Sequence, residues 1–142
     1  MRSNSQTHDP DALASAQLPA DVTTTAPDGS DVRVLVATDR GSMAHFELAA
    51  GRTSSAVRHR TVEEIWFVVG GQGEMWRMRD LAETITALET GTSLVIPAET
   101  SFQFRSLGPG PLAAVAVTMP PWPGPDEAEA VDGCPEWTST DS

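Results

Sequence analysis

The sequence predicts an all-β protein built as a small barrel, and three observations support this fold class. Short runs rich in β-branched and aromatic residues recur roughly every 8–12 residues, the spacing of strands in sandwiches and barrels. Many of the eleven glycines and eleven prolines stand between these runs, where turns are expected. No stretch shows the apolar i, i+3, i+4 spacing of an amphipathic helix.

The individual strands follow from local patterns. Residues 44–48 alternate between apolar and polar side chains, as a half-buried strand does. Residues 65–69 are apolar on both faces, as in a central strand, and a glycine-rich turn at 70–73 ends this run. We therefore expect a closed or nearly closed antiparallel barrel of about eight or more strands over residues 32–119. The predicted strands are residues 32–37, 44–48, 65–69, 74–78, 83–88, 93–96, 102–106 and 112–119.

The chain of 142 residues suits one domain with two extensions. Residues 1–27 are polar and unpatterned, which predicts a disordered or loosely packed arm. The barrel is expected over 28–119, followed by a proline-rich acidic tail at 120–142. Two alternatives remain for this tail: it packs on the barrel through Trp122 and Trp137, or it is disordered.

The formal net charge of −11 belongs mainly to the two extensions. Residues 1–31 carry five acids and one arginine, and residues 126–142 carry six acids and no base. The middle, 32–125, carries nine acids and eight arginines. Because no basic stripe with interleaved aromatic residues is present, we expect no nucleic-acid partner. No apolar run approaches the length of a membrane span, so we expect no membrane partner.

The composition also limits the chemistry. The chain has no lysine and no tyrosine, which excludes a Schiff-base lysine and a phenolic acid. Cys134 is the single cysteine, so no disulfide forms within the chain and a reducing compartment is expected. The first twenty residues contain no apolar run, so we expect no secretory leader and a cytoplasmic location. Proton chemistry is left to histidine, aspartate, glutamate and arginine.

The spacing after Gly51 is specific. Five residues separate Gly51 from Val57, four separate His59 from Glu64, and six separate Glu64 from Gly71. This spacing resembles the first motif of the cupin superfamily, in which a glycine precedes a His-x-His pair, a glutamate and a second glycine. The resemblance implies a jelly-roll, or double-stranded β-helix, barrel.

A second spacing extends this resemblance. Gly91 is followed by five residues and Pro97, as in the second cupin motif. The family's glycine, histidine and asparagine positions are held here by Glu99, Phe102 and Ser106. The resemblance is close over residues 51–106 and extends over 32–119 by strand count.

The resemblance implies a metal centre that this sequence retains only in part. Cupins commonly bind iron, manganese, nickel or zinc through three histidines and one glutamate. His59 and Glu64 occupy two of these positions, whereas Val57 and Phe102 replace the first and last histidines. Three protein ligands are typical of a catalytic metal site, so we predict no tightly bound metal cofactor. The alternative is a divalent transition metal at His59 and Glu64.

Three further residues could complete such a metal site. His45 lies on the preceding strand, Glu99 near the barrel mouth, and Gln103 next to Phe102 but with the opposite parity. His45 is otherwise expected on the surface or in packing.

His59 and Glu64 are the predicted catalytic residues. A carboxyl group and an imidazole brought together on inner strand faces form an acid/base pair, and the alternative is a structural ion pair. Alternation places further side chains on the same inner faces, as a small-molecule pocket or as ordinary core. The predicted substrate-binding residues are Val57, Trp66, Phe102 and Phe104.

The predicted function is small-molecule binding in the barrel, with isomerase, cyclase, dehydratase or epimerase activity. The alternatives are a metal-dependent oxygenase with a reduced ligand set and a non-catalytic binding or sensing module. Ile65, Phe67 and Val69 have outward parity and are apolar, so we expect a second copy of the chain to cover them in a homodimer.

Overall fold

The computed structural model describes residues 10–140 as two antiparallel sheets that face each other. Eleven strands and two short 3₁₀ helices, Pro10–Leu13 and Pro125–Glu127, make up its regular structure. The all-β prediction is confirmed. The strands are β1 Thr24–Thr25, β2 Asp31–Ala37, β3 Ser42–Leu48, β4 Val57–His59, β5 Glu63–Gly70, β6 Gln72–Arg79, β7 Ala82–Glu89, β8 Ser93–Ile96, β9 Ser101–Ser106, β10 Leu112–Met119 and β11 Ala128–Ala130.

The chain crosses repeatedly between the sheets, as in a jelly roll. One sheet has five strands in the order β11-β4-β9-β6-β7, and the other has six in the order β1-β2-β3-β10-β5-β8. From β3 onward the chain changes sheet at every connection except the β6–β7 hairpin. This winding places β4 and β5, which are consecutive in sequence, on opposite walls of one interior.

The register of the six-stranded sheet determines which side chains enter that interior. Ala116 of β10 lies opposite Ala44 and Trp66, and Thr118 lies opposite Ser42 and Glu64. Side chains from both sheets pack into one apolar core. This core contains Leu48, Val57, Trp66, Val68, Met75, Leu88, Leu94, Ile96, Phe102, Phe104, Leu112, Ala114 and Ala116.

The glycines of the two motifs occupy turns that other residues would strain. Gly71, between β5 and β6, has a φ of 80°, and a Cβ there would lie 2.2 Å from the carbonyl oxygen of Pro111. Gly91, between β7 and β8, has a φ of 98° with open space around it. Gly71 is therefore required by both conformation and close packing, and Gly91 by conformation.

The tail runs back over the barrel through specific contacts. β11 pairs with β4 at the edge of the five-stranded sheet. The Cys134 N–H donates to Oε1 of Gln103 at 3.0 Å, and the guanidinium of Arg105 lies 4.4 Å from the ring centre of Trp137. The Thr140 N–H donates to the Thr53 carbonyl at 3.0 Å. Residues 128–140 thus run from the edge of this sheet over its outer side.

The arm before the barrel makes fewer contacts along residues 10–27. Arg33 of β2 donates from Nε to the Pro19 carbonyl, and the Thr23 N–H donates to the Val32 carbonyl. Leu13 and Leu18 remain exposed. No helix within residues 10–140 has the length and hydropathy needed to cross a bilayer.

Candidate functional site at the barrel mouth

His59 and Glu64 meet inside the barrel near one end. His59 is the last residue of β4, and Glu64 is the second residue of β5. The Nδ1 atom of His59 lies 3.4 Å from Oε2 of Glu64, and both side chains are buried. The register therefore brings together the two residues that the sequence singled out.

Aromatic side chains enclose this pair. The Trp66 indole donates from Nε1 to Oε1 of Glu64 at 2.6 Å. The His59 ring makes edge contacts with Phe102 at 5.1 Å and with Trp122 at 4.9 Å between ring centres. Nδ1 of His59 is buried and has no hydrogen-bond partner among the described residues. The imidazole is thus held by packing, with Nδ1 close to the carboxyl group but not hydrogen-bonded to it.

The enclosure shifts the pKa values of both groups toward their neutral forms. Burial raises the pKa of Glu64 to about 7; the hydrogen bond from Trp66 opposes this shift and the carboxylate of Asp28 adds to it. Burial lowers the pKa of His59 to about 4, against the attraction of Glu127. At neutral pH the imidazole is therefore uncharged and the carboxyl group is partly protonated. The pair is better described as an acid beside a base than as an ion pair.

Two hydroxyl groups continue the polar surface next to Glu64. Thr118 lies next to Glu64 and Ser42 lies next to Thr118 in one inward row, and the two hydroxyl oxygens lie 2.5 Å apart. The Trp122 N–H donates to Oγ of Ser42 at 3.0 Å. We call Ser42, His59, Glu64, Thr118 and Trp122 the mouth group.

The predicted substrate-binding residues lie directly behind the mouth group. Val57, Trp66, Phe102 and Phe104 are all buried in the same core. Trp66 packs edge-on against Phe104 at 5.0 Å and stacks on Phe46 at 5.7 Å between ring centres. They form an apolar floor beneath the acid/base pair, and their part in binding stays a prediction.

The side chains at this site do not fit the family's metal centre. Val57 and Phe102 are buried where two histidine ligands would stand, and neither carries a donor atom. Within residues 10–140, no three side chains among histidine, cysteine, aspartate and glutamate are placed to hold an ion. His59 and Glu64 would leave a bound ion with most of its ligands unsupplied.

None of the three possible substitute ligands joins this pair. His45 lies on the outer side of β3, in the row of Arg33 and Val115. Gln103 lies under the tail, where its side chain bonds the Ser54 carbonyl and the Cys134 N–H. The Glu99 side chain is exposed, although its N–H donates to the His59 carbonyl at 2.8 Å.

Three members of the mouth group were not predicted from the sequence. Ser42 and Thr118 could have been found, because they extend the inward alternation of Ala44 and Ala116 by one step to the strand ends. Trp122 could not be placed, because no spacing rule tells where a proline-rich tail returns to a barrel.

Solved structures show the same fold at low sequence identity. The capsular polysaccharide assembling protein CapF from Staphylococcus aureus has a TM-score of 0.67 at 18% identity, over 83% of this chain and 33% of CapF. KdgF from Halomonas sp. has a TM-score of 0.60 at 16% identity, over 75% of this chain and 94% of KdgF. A double-stranded beta-helix protein from Klebsiella pneumoniae has a TM-score of 0.59 at 13% identity, over 90% and 99%. The chain thus spans about a third of the length of CapF.

The family assignment comes from the sequence of the barrel. A search of curated protein sequences finds no match. The family model described as a cupin domain matches residues 44–118, which is more than half of the chain. This segment contains His59, Glu64 and the glycine framework around them. The chain therefore belongs to the cupin family.

Proposed function

We propose that this cupin is a small-molecule enzyme that works by proton transfer, as an isomerase, cyclase, dehydratase or epimerase. The observation that carries the proposal is the buried contact of 3.4 Å between His59 and Glu64 at the barrel mouth. A carboxyl group with a pKa of about 7 is present in both protonation states at neutral pH. It can therefore give or take a proton without a change of conditions.

Glu64 carries the proton in both directions, and His59 assists at the reacting oxygen. In its ionised form Glu64 removes a proton from a carbon next to a carbonyl group, and the same carboxyl group returns it to another position. His59, neutral at this pH, accepts or donates a hydrogen bond at the reacting oxygen. Ser42 and Thr118 offer further hydrogen bonds beside Glu64. The reaction needs no external oxidant, because an isomerisation, epimerisation or cyclisation keeps every electron pair in the product, and in a dehydration the departing hydroxide keeps its bonding pair and takes the proton from Glu64 to leave as water.

The test measures proton exchange directly, so the product of the reaction need not be identified. A panel of enolisable carbonyl compounds is incubated with the protein in D₂O, and deuterium uptake at carbon is followed by NMR. Glu64→Gln is expected to slow the uptake by about 100-fold or more. The matched control is Glu99→Gln, because Glu99 lies beside the His59 backbone with an exposed side chain and should leave the rate unchanged.

The alternative functions give different results in the same experiment. A compound that binds without exchanging deuterium would support a binding or sensing module instead. Stoichiometric iron, manganese, nickel or zinc in the purified protein, with a rate that falls on adding chelator, would support the oxygenase. We expect chelator to leave both the rate and the melting temperature unchanged.

We also propose that the protein is a homodimer joined through the outer side of the six-stranded sheet. Ile65, Phe67 and Val69 of β5 are 47%, 50% and 42% exposed, and Val95 of β8 is paired with Ile65 and 49% exposed. These side chains form a contiguous apolar face without a charged residue among them. An apolar face of this kind suits a second copy of the chain, which would bury the same residues on both sides.

A further inference from the structure

Trp122 connects the tail to the candidate site, although it lies outside the cupin-matched segment 44–118. Its indole is half-buried and packs against the His59 ring at 4.9 Å, with an angle of 66° between the ring planes. Phe102 packs against the same imidazole at 5.1 Å and 83°. The imidazole therefore contacts one ring from the barrel floor and one from the tail.

We propose that the Trp122 indole occupies the position where the ligand binds, and that the ligand is a flat, uncharged ring compound that displaces the indole. This inference rests on the proposed function, since it takes the mouth group as the binding site. A planar ring that enters at this position regains the contact with His59 that the indole gives up. An aliphatic chain of similar size would lack the edge-to-face geometry.

The charges around the site favour an uncharged ligand. His59 is the one member of the mouth group with a basic side chain, and it is neutral at pH 7 because burial lowers its pKa to about 4. The carboxyl groups of Asp28 and Glu127 act electrostatically on Glu64 and His59, so the local field is negative. A phosphate or carboxylate group would meet repulsion there and no cation.

The nearby arginines do not supply the missing positive charge. Arg58 binds the carboxylate of Glu129 through both Nε and a terminal nitrogen. Arg60 donates from Nε to the Asp126 carbonyl at 3.1 Å, and its terminal nitrogen lies 3.5 Å from Glu129. Both guanidinium groups are thus engaged with the tail.

The segment that carries Trp122 makes few hydrogen bonds to the barrel. It lies between the end of β10 at Met119 and the anchor at Glu127, whose carboxylate accepts hydrogen bonds from Thr61 and Val62. Four of its residues are prolines, which have no N–H to donate. Gly124 has a φ of 140°, a conformation that glycine adopts freely. Displacing the indole therefore breaks few hydrogen bonds, the one to Ser42 among them.

The test uses indole as the probe and compares the two tail tryptophans. Trp122→Ala should bind indole roughly tenfold tighter than the wild-type protein by calorimetry, because the vacated position is apolar and open to the ring. Trp137→Ala is the matched control, since Trp137 packs on Arg105 at the outer side of the barrel. It should bind indole no tighter than wild type. Bound indole should also shift the His59 ring resonances in NMR spectra of the Trp122→Ala protein.

A charged probe and a second variant provide further tests of the proposal. Indole-3-acetate, which adds a negative charge to the same ring, should bind Trp122→Ala roughly tenfold more weakly than indole does. Equal affinities for the two probes, equal indole binding by the two alanine variants, or unshifted His59 resonances would each overturn the proposal. If Trp122→Ala does not fold, Trp122→Leu, which keeps apolar contact without a ring, takes its place with the same expected results.

The outcome separates this inference from the proposed enzyme function. Indole binding requires an open ring position and no proton transfer, so Glu64→Gln in the Trp122→Ala background should retain it. If the wild-type protein exchanges no deuterium but Trp122→Ala binds indole more tightly, the result counts against the enzyme and leaves the ring-binding position at Trp122 supported. Deuterium exchange by the wild-type protein without tighter indole binding by Trp122→Ala would count against the ring-binding position and leave the proposed enzyme function supported.

Discussion

Burial acts on Glu64 and His59 in opposite directions, and this difference has a measurable effect on stability. Glu64 is 3% exposed and His59 is 5% exposed, so each charged form loses nearly all of its hydration. The folded protein holds the proton of Glu64 up to about pH 7, compared with an ordinary pKa of 4.5. His59 stays unprotonated in the folded protein down to about pH 4, whereas its ordinary pKa is 6.5.

The sign of each contribution follows from which state binds more protons. Between pH 4.5 and 7 the folded state binds more at Glu64, so the stability from this group is lost as the pH rises. Between pH 4 and 6.5 the unfolded state binds more at His59, so the stability from this group is lost as the pH falls. In the wild-type protein the two contributions oppose each other across the shared range.

Single substitutions should separate these two contributions. Relative to wild type, the free energy of unfolding of Glu64→Gln should rise between pH 4.5 and 7 by about 3 kcal/mol. That of His59→Gln should fall between pH 4 and 6.5 by a similar amount. Urea unfolding at half-unit pH steps provides the measurement. If the free energy of unfolding changed with pH in the same way in both variants, the two groups would be titrating as exposed residues. The description of an enclosed mouth would then be wrong.

At the scale of elements, the shortest strand of the barrel wall depends on the tail. β4 has three residues, and it carries His59 at its end. The tail strand β11 pairs with it, and the Glu127 carboxylate accepts bonds from the Thr61 N–H at 2.5 Å, the Thr61 hydroxyl at 2.8 Å and the Val62 N–H at 2.8 Å. The tail thus holds the turn that joins β4 to β5, between the two residues of the acid/base pair.

Glu127→Ala should therefore destabilise the protein far more than an ordinary tail substitution. Removing the carboxylate leaves two backbone N–H groups without their acceptor, and we expect a loss of about 3 kcal/mol in the free energy of unfolding. Amide hydrogen exchange should also accelerate at residues 61 and 62. Glu136→Ala is the matched control, because Glu136 is exposed and its removal should change stability little. Equal effects of the two substitutions would refute the anchoring role of Glu127.

Much of the barrel could be predicted from the sequence, because alternation and turn residues are local signals. Residues 93–96 and 112–119 match β8 and β10, and the other six predicted strands each lie within an observed one. β1, β4 and β11 are absent from the predicted strands, because strands of two and three residues are too short to show a period. β11 exists through its pairing with β4, which is a long-range contact that the tail sequence does not encode by itself.

The site could be predicted in part for the same reason. The cupin spacing and strand parity together place His59 and Glu64 on facing inner walls, and the structure has them in contact. Parity also accounts for the burial of Val57, Trp66, Phe102 and Phe104. The pKa shifts depend on how completely the site is enclosed, and this depends on Trp122 and the rest of the folded tail. No local pattern carries that information.

At the scale of the whole molecule, the two sheets have different outer sides. The five-stranded sheet carries the tail, whereas the six-stranded sheet exposes the apolar face around Phe67. The net charge is concentrated in the extensions, so the apolar face lies on the nearly neutral part of the sequence. This asymmetry leaves the apolar face available for the proposed dimer and the barrel mouth for the proposed ligand.

Phe67→Lys should convert the proposed dimer into a monomer. Two lysines would be buried near each other at a self-complementary interface, which is strongly unfavourable. Light scattering at micromolar concentration should report twice the chain mass of 15.1 kDa for wild type and one chain mass for the variant. Leu81→Lys is the control, because Leu81 is 92% exposed at the tip of the β6–β7 hairpin and should not alter the mass. A monomeric wild-type protein would refute the dimer.

The positions of the four tryptophans allow fluorescence to follow the release of the tail and the unfolding of the barrel separately. Because the chain has no tyrosine, its ultraviolet emission comes almost entirely from indole. Trp66 and Trp76 are each 1% exposed within the barrel, whereas Trp122 and Trp137 belong to the tail. Release of the tail exposes one pair to water and leaves the other shielded, while collapse of the barrel exposes all four. A red shift in two stages during denaturation would therefore time the opening of the mouth against the loss of the fold.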